Sequence, residues 1–285
     1  MKILIGNAYL KNNEYDKALE AYTKATEINP KNDSAYNFLG SIYSIKKEYN
    51  KAIEAYQKAI VINPKNDSAY YSIGDFYSKK GEYDKAIEAY QKAIEINPKK
   101  GMAYCGLGSV YFKKGEYDKT IEAYTKAFIV NPEEGSAHIL GRLYSDKKEY
   151  DKAIEAYQKA IVINPKNSGV YYDMGVVYEK KKKYDKAVKA YTKVVEINPQ
   201  NDSAYHSIGV VYEKKKEYNQ AIEAYQKAIA INPQKDEVYY NMGNVYYHLG
   251  KLDEVIESYI QALNINPSNS SAYANLFELQ LIKIK

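Results

Sequence analysis

The chain has 285 residues, 45% hydrophobic and 27% charged, the balance of a folded globular protein rather than a disordered one. Lys and Arg number 41 against 36 Asp and Glu, for a net charge of +5, and Arg142 is the only arginine. A modest surplus carried by Lys reads as a solvated surface. A lone Arg excludes recognition of phosphate or carboxylate by repeated guanidinium forks, so charge counts against nucleic-acid binding.

The start, Met1 to Ala8, holds too short an apolar run for a signal peptide, and no stretch approaches the ~20 apolar residues of a membrane span. Cys105 is the only cysteine and has no partner for an internal disulfide, which fits a reducing compartment. A cytoplasmic protein is expected.

From there a single pattern runs through the chain. All eight prolines form one series, Pro30, Pro64, Pro98, Pro132, Pro165, Pro199, Pro233 and Pro267, spaced by 34 residues except for one interval of 33. Each follows an Asn. Proline lacks an N–H and disfavours helix at the preceding residue, so each one stops a helix. Asn and Asp just beyond, as in Asn66-Asp67-Ser68, can cap the next.

With residues 33–66 as the type unit, Tyr36, Leu39, Gly40 and Tyr43 fall at positions 4, 7, 8 and 11, the stripe of a first helix, A. Ala52, Tyr56 and Ala59 at positions 20, 24 and 27 mark a second helix, B, after the polar turn Lys46-Lys47-Glu48. Each helix is expected to run about 14 residues, or ~20 Å. Neither can bury its stripe alone, but stacked neighbours can. Position 8 is Gly in every repeat, from Gly6 to Gly243. Gly costs helix propensity, so a close approach of helix B is expected there, with the small Ala at position 20 facing it. Glu54–Lys58, Glu88–Lys92 and Glu155–Lys159 are expected as i,i+4 pairs.

The pattern Tyr-x2-Leu/Ile/Met-Gly-x2-Tyr, then Ala-x3-Tyr, then Pro resembles the tetratricopeptide repeat over essentially the whole chain. The units are 1–32, 33–66, 67–100, 101–134, 135–167, 168–201, 202–235 and 236–269, with a last helix over 270–285. The resemblance implies an all-α fold: one right-handed superhelical solenoid of antiparallel helix pairs spanning 1–285, with about eight repeats. It also implies a concave groove lined by positions 2, 5, 9, 12 and 13 of the A helices, and protein or peptide binding there.

Positions 5 and 9 give the candidate groove residues. These are Asn37, Ser41, Tyr71, Asp75, Cys105, Ser109, His138, Arg142, Tyr172, Val176, His206, Val210, Tyr240 and Asn244. Tyr offers a large contact area and one hydrogen-bonding group at low entropy cost. Relatives of this type that clamp acidic chaperone tails carry Lys at position 5, Asn at 9, and Lys or Arg at 2 and 6 of the following repeats. Here neither position 2 nor position 5 is ever Lys, so that clamp is absent. The Asn ladder at position 6 of sugar-transferase solenoids is missing too; position 6 reads Phe38, Ser72, Gly106, Asp173 and Ser207 before Asn241 and Asn275.

Three departures stand out. The unit 135–167 is one residue short; a deletion near Glu133-Glu134, in the loop, puts His138 at position 5, whereas the alternative buries it in the place of the repeated Tyr. The unit 168–201 is the most basic, with Lys180 to Lys183 consecutive and Lys189 and Lys193 where other repeats pair Glu with Lys. Both ends, around Ile3-Leu4-Ile5 and from Tyr273 to Ile282, are apolar, which would suit end-to-end self-association. Three histidines and one cysteine offer no zinc spacing, and no phosphate-binding Gly loop or separated pair of carboxylates is present. The expectation is a non-catalytic scaffold with no cofactor or metal, binding an extended peptide or partner helix. The alternatives are a self-assembling scaffold and a binder of nucleic acid or an acidic partner along the Lys-rich turns.

Overall fold

The computed structural model describes residues 2–283, with side chains from 2 to 279. Part of the expected apolar end, including Leu281 and Ile282, therefore lies outside the described side chains. Among the described residues every regular element is a helix. By contacts the chain divides into two compact units, 1–137 and 138–285.

The first unit holds α1 (Lys2–Lys11), α2 (Tyr15–Ile28), α3 (Asp33–Ile45), α4 (Tyr49–Ile62), α5 (Asp67–Lys80), α6 (Tyr83–Ile96), α7 (Gly101–Lys113) and α8 (Tyr117–Val130). The unit boundary falls inside α9 (Glu134–Asp146). The second unit continues with α10 (Tyr150–Ile163), α11 (Ser168–Lys180), α12 (Tyr184–Ile197), α13 (Asp202–Lys214), α14 (Tyr218–Ile231), α15 (Asp236–His248), α16 (Leu252–Ile265) and α17 (Ser270–Lys283). Odd-numbered helices are the A helices and even-numbered ones the B helices. Within each unit a helix packs on the other helix of its repeat and then on the next repeat.

The Asn-Pro loop closes each repeat by local chemistry. Asn63 accepts the Lys65 N–H at 3.0 Å, a turn that ends α4, while its amide donates to Asp33 at 2.7 Å. Asn66 accepts the Ala69 N–H at 3.0 Å and so caps α5. The same carboxylate place recurs as Asp67, Asp202 and Asp236, each taking the Asn amide from its own repeat's end. Burial works against the charge of Asp67, but Asn97 and Lys100 donate to it and hold its carboxyl below the usual range.

The turn between A and B is left-handed at one fixed place, position 15. Gly81, Gly115 and Gly250 fill it in three repeats; Lys47, Lys148, Lys182 and Lys216 adopt φ of 56–62° in four others. Three of the A/B turns thus end on the residue suited to that conformation, and four force a lysine into it.

Two expectations need correcting. The neighbour of the position-8 glycine is the position-24 tyrosine of its own repeat, not the position-20 alanine. A Cβ on Gly40 would lie 2.6 Å from Tyr56 Cε1, and one on Gly141 would lie 2.3 Å from Tyr157 Cε1. The missing side chain makes room for a buried ring. The surface pairs also differ: Glu155–Lys159 forms at 2.7 Å, but Lys92 reaches Glu95 at 2.8 Å, and Lys58 lies over the Tyr36 ring at 5.9 Å. Long side chains on an exposed face have several partners of similar worth, so spacing alone does not choose among them.

In the short unit, Asn131 and Pro132 are followed by a single residue, Glu133, before α9 begins, against two residues between Pro64 and α5. The deletion lies in the loop. Helix α9 keeps full length, and Gly141 meets Tyr157 as the other glycines meet their tyrosines.

Candidate functional site

The buried tyrosines organise the exposed face of the A helices. Each lies under its position-8 glycine, and its hydroxyl reaches toward that face. In the first unit Tyr22 donates to Asn7 Oδ1 at 2.5 Å and Tyr90 to Asp75 Oδ1 at 2.6 Å, and Ser41 Oγ lies 3.3 Å from the Tyr56 hydroxyl. In the second, Tyr259 donates to Asn244 at 2.8 Å. Position 9 thus carries the partner of a core phenol. Where it is Val176 or Val210, which cannot accept, the phenol turns to a carboxylate one turn further on. Tyr191 donates to Glu179 at 3.2 Å and Tyr225 to Glu213 at 2.8 Å. Burial, reinforced by these carboxylates, pushes the Tyr90, Tyr191 and Tyr225 phenols far above their usual range, so they stay protonated donors.

Position 5 lays a second ring against that tyrosine. The centroid distances are 5.9 Å for Tyr71–Tyr90, 5.3 Å for Tyr172–Tyr191 and 5.8 Å for Tyr240–Tyr259. Two histidines do the same, His138 on Tyr157 at 5.9 Å and His206 on Tyr225 at 5.8 Å. His138 therefore occupies the position-5 place in α9.

The outer end of three of these groups in the second unit hydrogen-bonds to position 6 of the next repeat. His138 Nε2 lies 2.8 Å from Asp173 Oδ2, the Tyr172 hydroxyl 3.2 Å from Ser207 Oγ, and His206 Nε2 2.9 Å from the Asn241 amide. Burial holds the His206 imidazole below its ordinary pKa, and a neutral ring accepting from Asn241 fits that state. In the first unit, Asn37 donates to Asn66 at 2.9 Å while its own buried Oδ1 has no partner. Cys105 Sγ lies 3.4 Å from Ser136 Oγ, and burial raises its thiol above the ordinary value.

The fourteen sequence-derived residues thus lie along the A helices, but most are half-buried and engaged with the core. Ser109 stands by the Tyr124 hydroxyl, Val176 and Val210 pack into the core, and Arg142 is exposed.

The more open surface adds positions 12 and 13. In the second unit a cleft of about 280 Å³ opens across three successive A helices, α13, α15 and α17. Its walls are Glu213, Asn244, Tyr247, His248, Asn275 and Glu278, over a floor of Tyr259 and Leu279. Of these only Asn244 was singled out by positions 5 and 9. The available signal was the break in pattern at position 12, where Tyr247 stands at a place that Glu179 and Glu213 hold in the two preceding repeats. A second opening of about 540 Å³ lies at the loop end of α11 and α13, where Tyr172, Asp173 and Asp202 line it. Among the described residues no group of three or more His, Cys, Asp or Glu is placed to hold a metal ion, and no helix is long and apolar enough to cross a membrane.

Sequence models described as TPR repeat match residues 40–81, 74–115, 141–182 and 214–250. Models described as tetratricopeptide repeat match 3–32, 102–134, 169–201 and 237–269, and also 21–54 and 190–223. Among solved structures the chain is similar to YrrB, described as a TPR protein with an unusual peptide-binding site. The identity is 25% and the TM-score 0.58, over 70% of this chain and 99% of that one. It is similar to MamA at 32% identity and a TM-score of 0.56, covering 61% and 96%. It shares its fold with pilF of Pseudomonas aeruginosa at 21% identity and a TM-score of 0.56, covering 74% and 97%. No curated protein matches the chain in sequence.

Proposed function

The chain belongs to the tetratricopeptide-repeat family, a family of protein-interaction scaffolds that are generally non-catalytic, and from that premise we propose that it binds an extended peptide or a partner helix along its A-helix face. The observation that carries this reading is the cleft on α13, α15 and α17. Three successive A helices converge on it, so one side chain of a bound segment would touch three repeats at once. Its walls combine an exposed aromatic, Tyr247, with carboxylates and amides, the mixture that fixes orientation through polar contacts and gains area from a ring. YrrB, a TPR protein with an unusual peptide-binding site, agrees with a peptide ligand in kind.

The tilted ring pairs act as support. A position-5 ring held against a buried phenol loses little further freedom when a partner lands on it, which lowers the entropic cost of binding.

The test is crosslinking mass spectrometry on partners captured by the wild type, compared with Tyr247→Ser and Glu278→Lys. Both side chains are exposed and outside the core, so both variants should fold and should lose the wild-type crosslinks to α13, α15 and α17. An unchanged crosslink set would remove this cleft from the binding surface.

A further inference from the structure

Each unit carries a crevice at the same place in its repeats, lined by positions 4, 7, 11 and 23 rather than by the position-5 rings, and the two differ in charge. In the first unit a crevice of about 460 Å³ has Tyr104, Leu107, Tyr111 and Ala123 as its apolar lining. Its rim lysines are neutralised from within: Lys119 lies 2.6 Å from Glu116 and Lys126 2.7 Å from Glu122. In the second unit a crevice of about 430 Å³ on α11 and α12 presents Tyr171, Met174, Tyr178 and Ala190 at the same repeat positions. Lys186 and Lys193 take the places of Lys119 and Lys126. Glu196 remains on its lining, but the other carboxylates are replaced. Lys189 stands where Glu122 does, Lys183 where Glu116 does, and Val162, 83% exposed, where Glu95 does.

Lys193 finds Glu196 at 2.5 Å. Among the described residues no carboxylate lies within ion-pair distance of Lys183, Lys186 or Lys189. This arrangement works against folding. Lys183, the N-cap of α12, and Lys186 and Lys189 within it follow at intervals of three residues, where like charges repel. Lys183 and Lys186 also stand at the start of α12, where the helix dipole disfavours cations. Every other repeat has Glu at the place of Lys189, from Glu20 to Glu257, so the fold itself does not require Lys there.

We propose that this crevice docks an acidic segment of a partner protein. An apolar side chain of that segment enters between Tyr171, Met174 and Tyr178, and its flanking carboxylates meet Lys183, Lys186 and Lys189. The apolar lining favours a peptide over a nucleic acid, whose backbone has no aliphatic group to place there. The crevice lies on the unit 168–201 and the A-helix cleft on the helices that follow it, so one scaffold would hold two partners, or two segments of one, on different repeats.

The probe is a short fluorescein-labelled synthetic peptide alternating Glu and Asp with Leu, read by anisotropy at low and moderate salt against the same peptide with Lys in place of the acids. The acidic peptide should bind, the basic one should not, and binding should weaken with salt. Lys189→Glu restores the residue of the other repeats, so it folds, and it should weaken binding roughly tenfold. Tyr247→Ser, in the A-helix cleft, should leave binding unchanged. The proposal is overturned if the wild type ignores the acidic peptide, if Lys189→Glu binds as well as the wild type, or if Tyr247→Ser abolishes binding. It is equally overturned if single-stranded RNA or phosphatidylserine vesicles bind more tightly and lose that binding on the Lys189→Glu change.

Discussion

Replacing Gly209 by Ala sets two opposed effects against each other. Ala in a helix interior is favoured over Gly by about 1 kcal/mol. The added Cβ would stand 2.4 Å from Tyr225 Cε1 and 2.5 Å from Cδ1, whereas ordinary contact begins near 3.4 Å, so the ring must retreat by about 1 Å. Tyr225 cannot do so freely. It is 0% exposed, its hydroxyl donates to Glu213 at 2.8 Å, and His206 covers it at 5.8 Å. Overpacking of this kind costs about 1–3 kcal/mol, and losing the phenol hydrogen bond adds about 1 kcal/mol. The packing effect wins, and Gly209→Ala should destabilise by about 1–3 kcal/mol net of the propensity gain.

Urea denaturation followed by circular dichroism measures the total. Hydrogen exchange of α13 and α14 amides localises it, because repeat arrays need not unfold as one. Gly135→Ala, whose Cβ would meet nothing within 4 Å, is the control and should be neutral or mildly stabilising. Adding Tyr225→Leu should recover part of the loss, with a coupling of about 1 kcal/mol. A Gly209→Ala protein as stable as the wild type, or an absence of coupling to position 225, would refute the ring as the reason for glycine.

Lys182 holds φ of 56° at the place where Gly81 holds 78°, and Lys182→Gly should stabilise by about 0.5–1 kcal/mol in the same urea titration. His206 titrates below its ordinary value when folded, because burial disfavours the cation. The unfolded chain therefore binds more protons between the two values. The stabilisation is complete above the unfolded value of about 6.5 and is lost as pH falls through the folded one. Hydrogen exchange of the second unit should show a stability that declines from about pH 7 toward pH 5, and His206→Tyr, the residue of the equivalent positions 172 and 240, should flatten that decline. The crosslinking and peptide experiments above test the two binding surfaces separately.

The candidate site was legible only in outline. Repeat position placed the candidate residues on the A helices, because a 34-residue period fixes which residues share a face. It did not give the partners. Asp75 and Asn244 read as open polar groups, yet each accepts from a core phenol; Val176 reads as a surface residue, yet it redirects the Tyr191 phenol to Glu179. The cleft at Tyr247 and Glu278 depends on three helices meeting, which no single repeat encodes. The basic unit was visible as a run of lysines, but whether those lysines were already paired was not.

What the sequence determined by itself is the local part of the fold: where helices start and stop, and which stripe of each is apolar. Proline, the Asn caps and the 3.6-residue period act over a few neighbouring residues, so their effect can be read along the chain. Tertiary structure decided the rest. Position 8 is glycine because a ring sixteen residues away fills its space, and no carboxylate comes within ion-pair distance of Lys189 among the described residues. The first is a fact about the distance between side chains far apart in the chain, and only packing sets it.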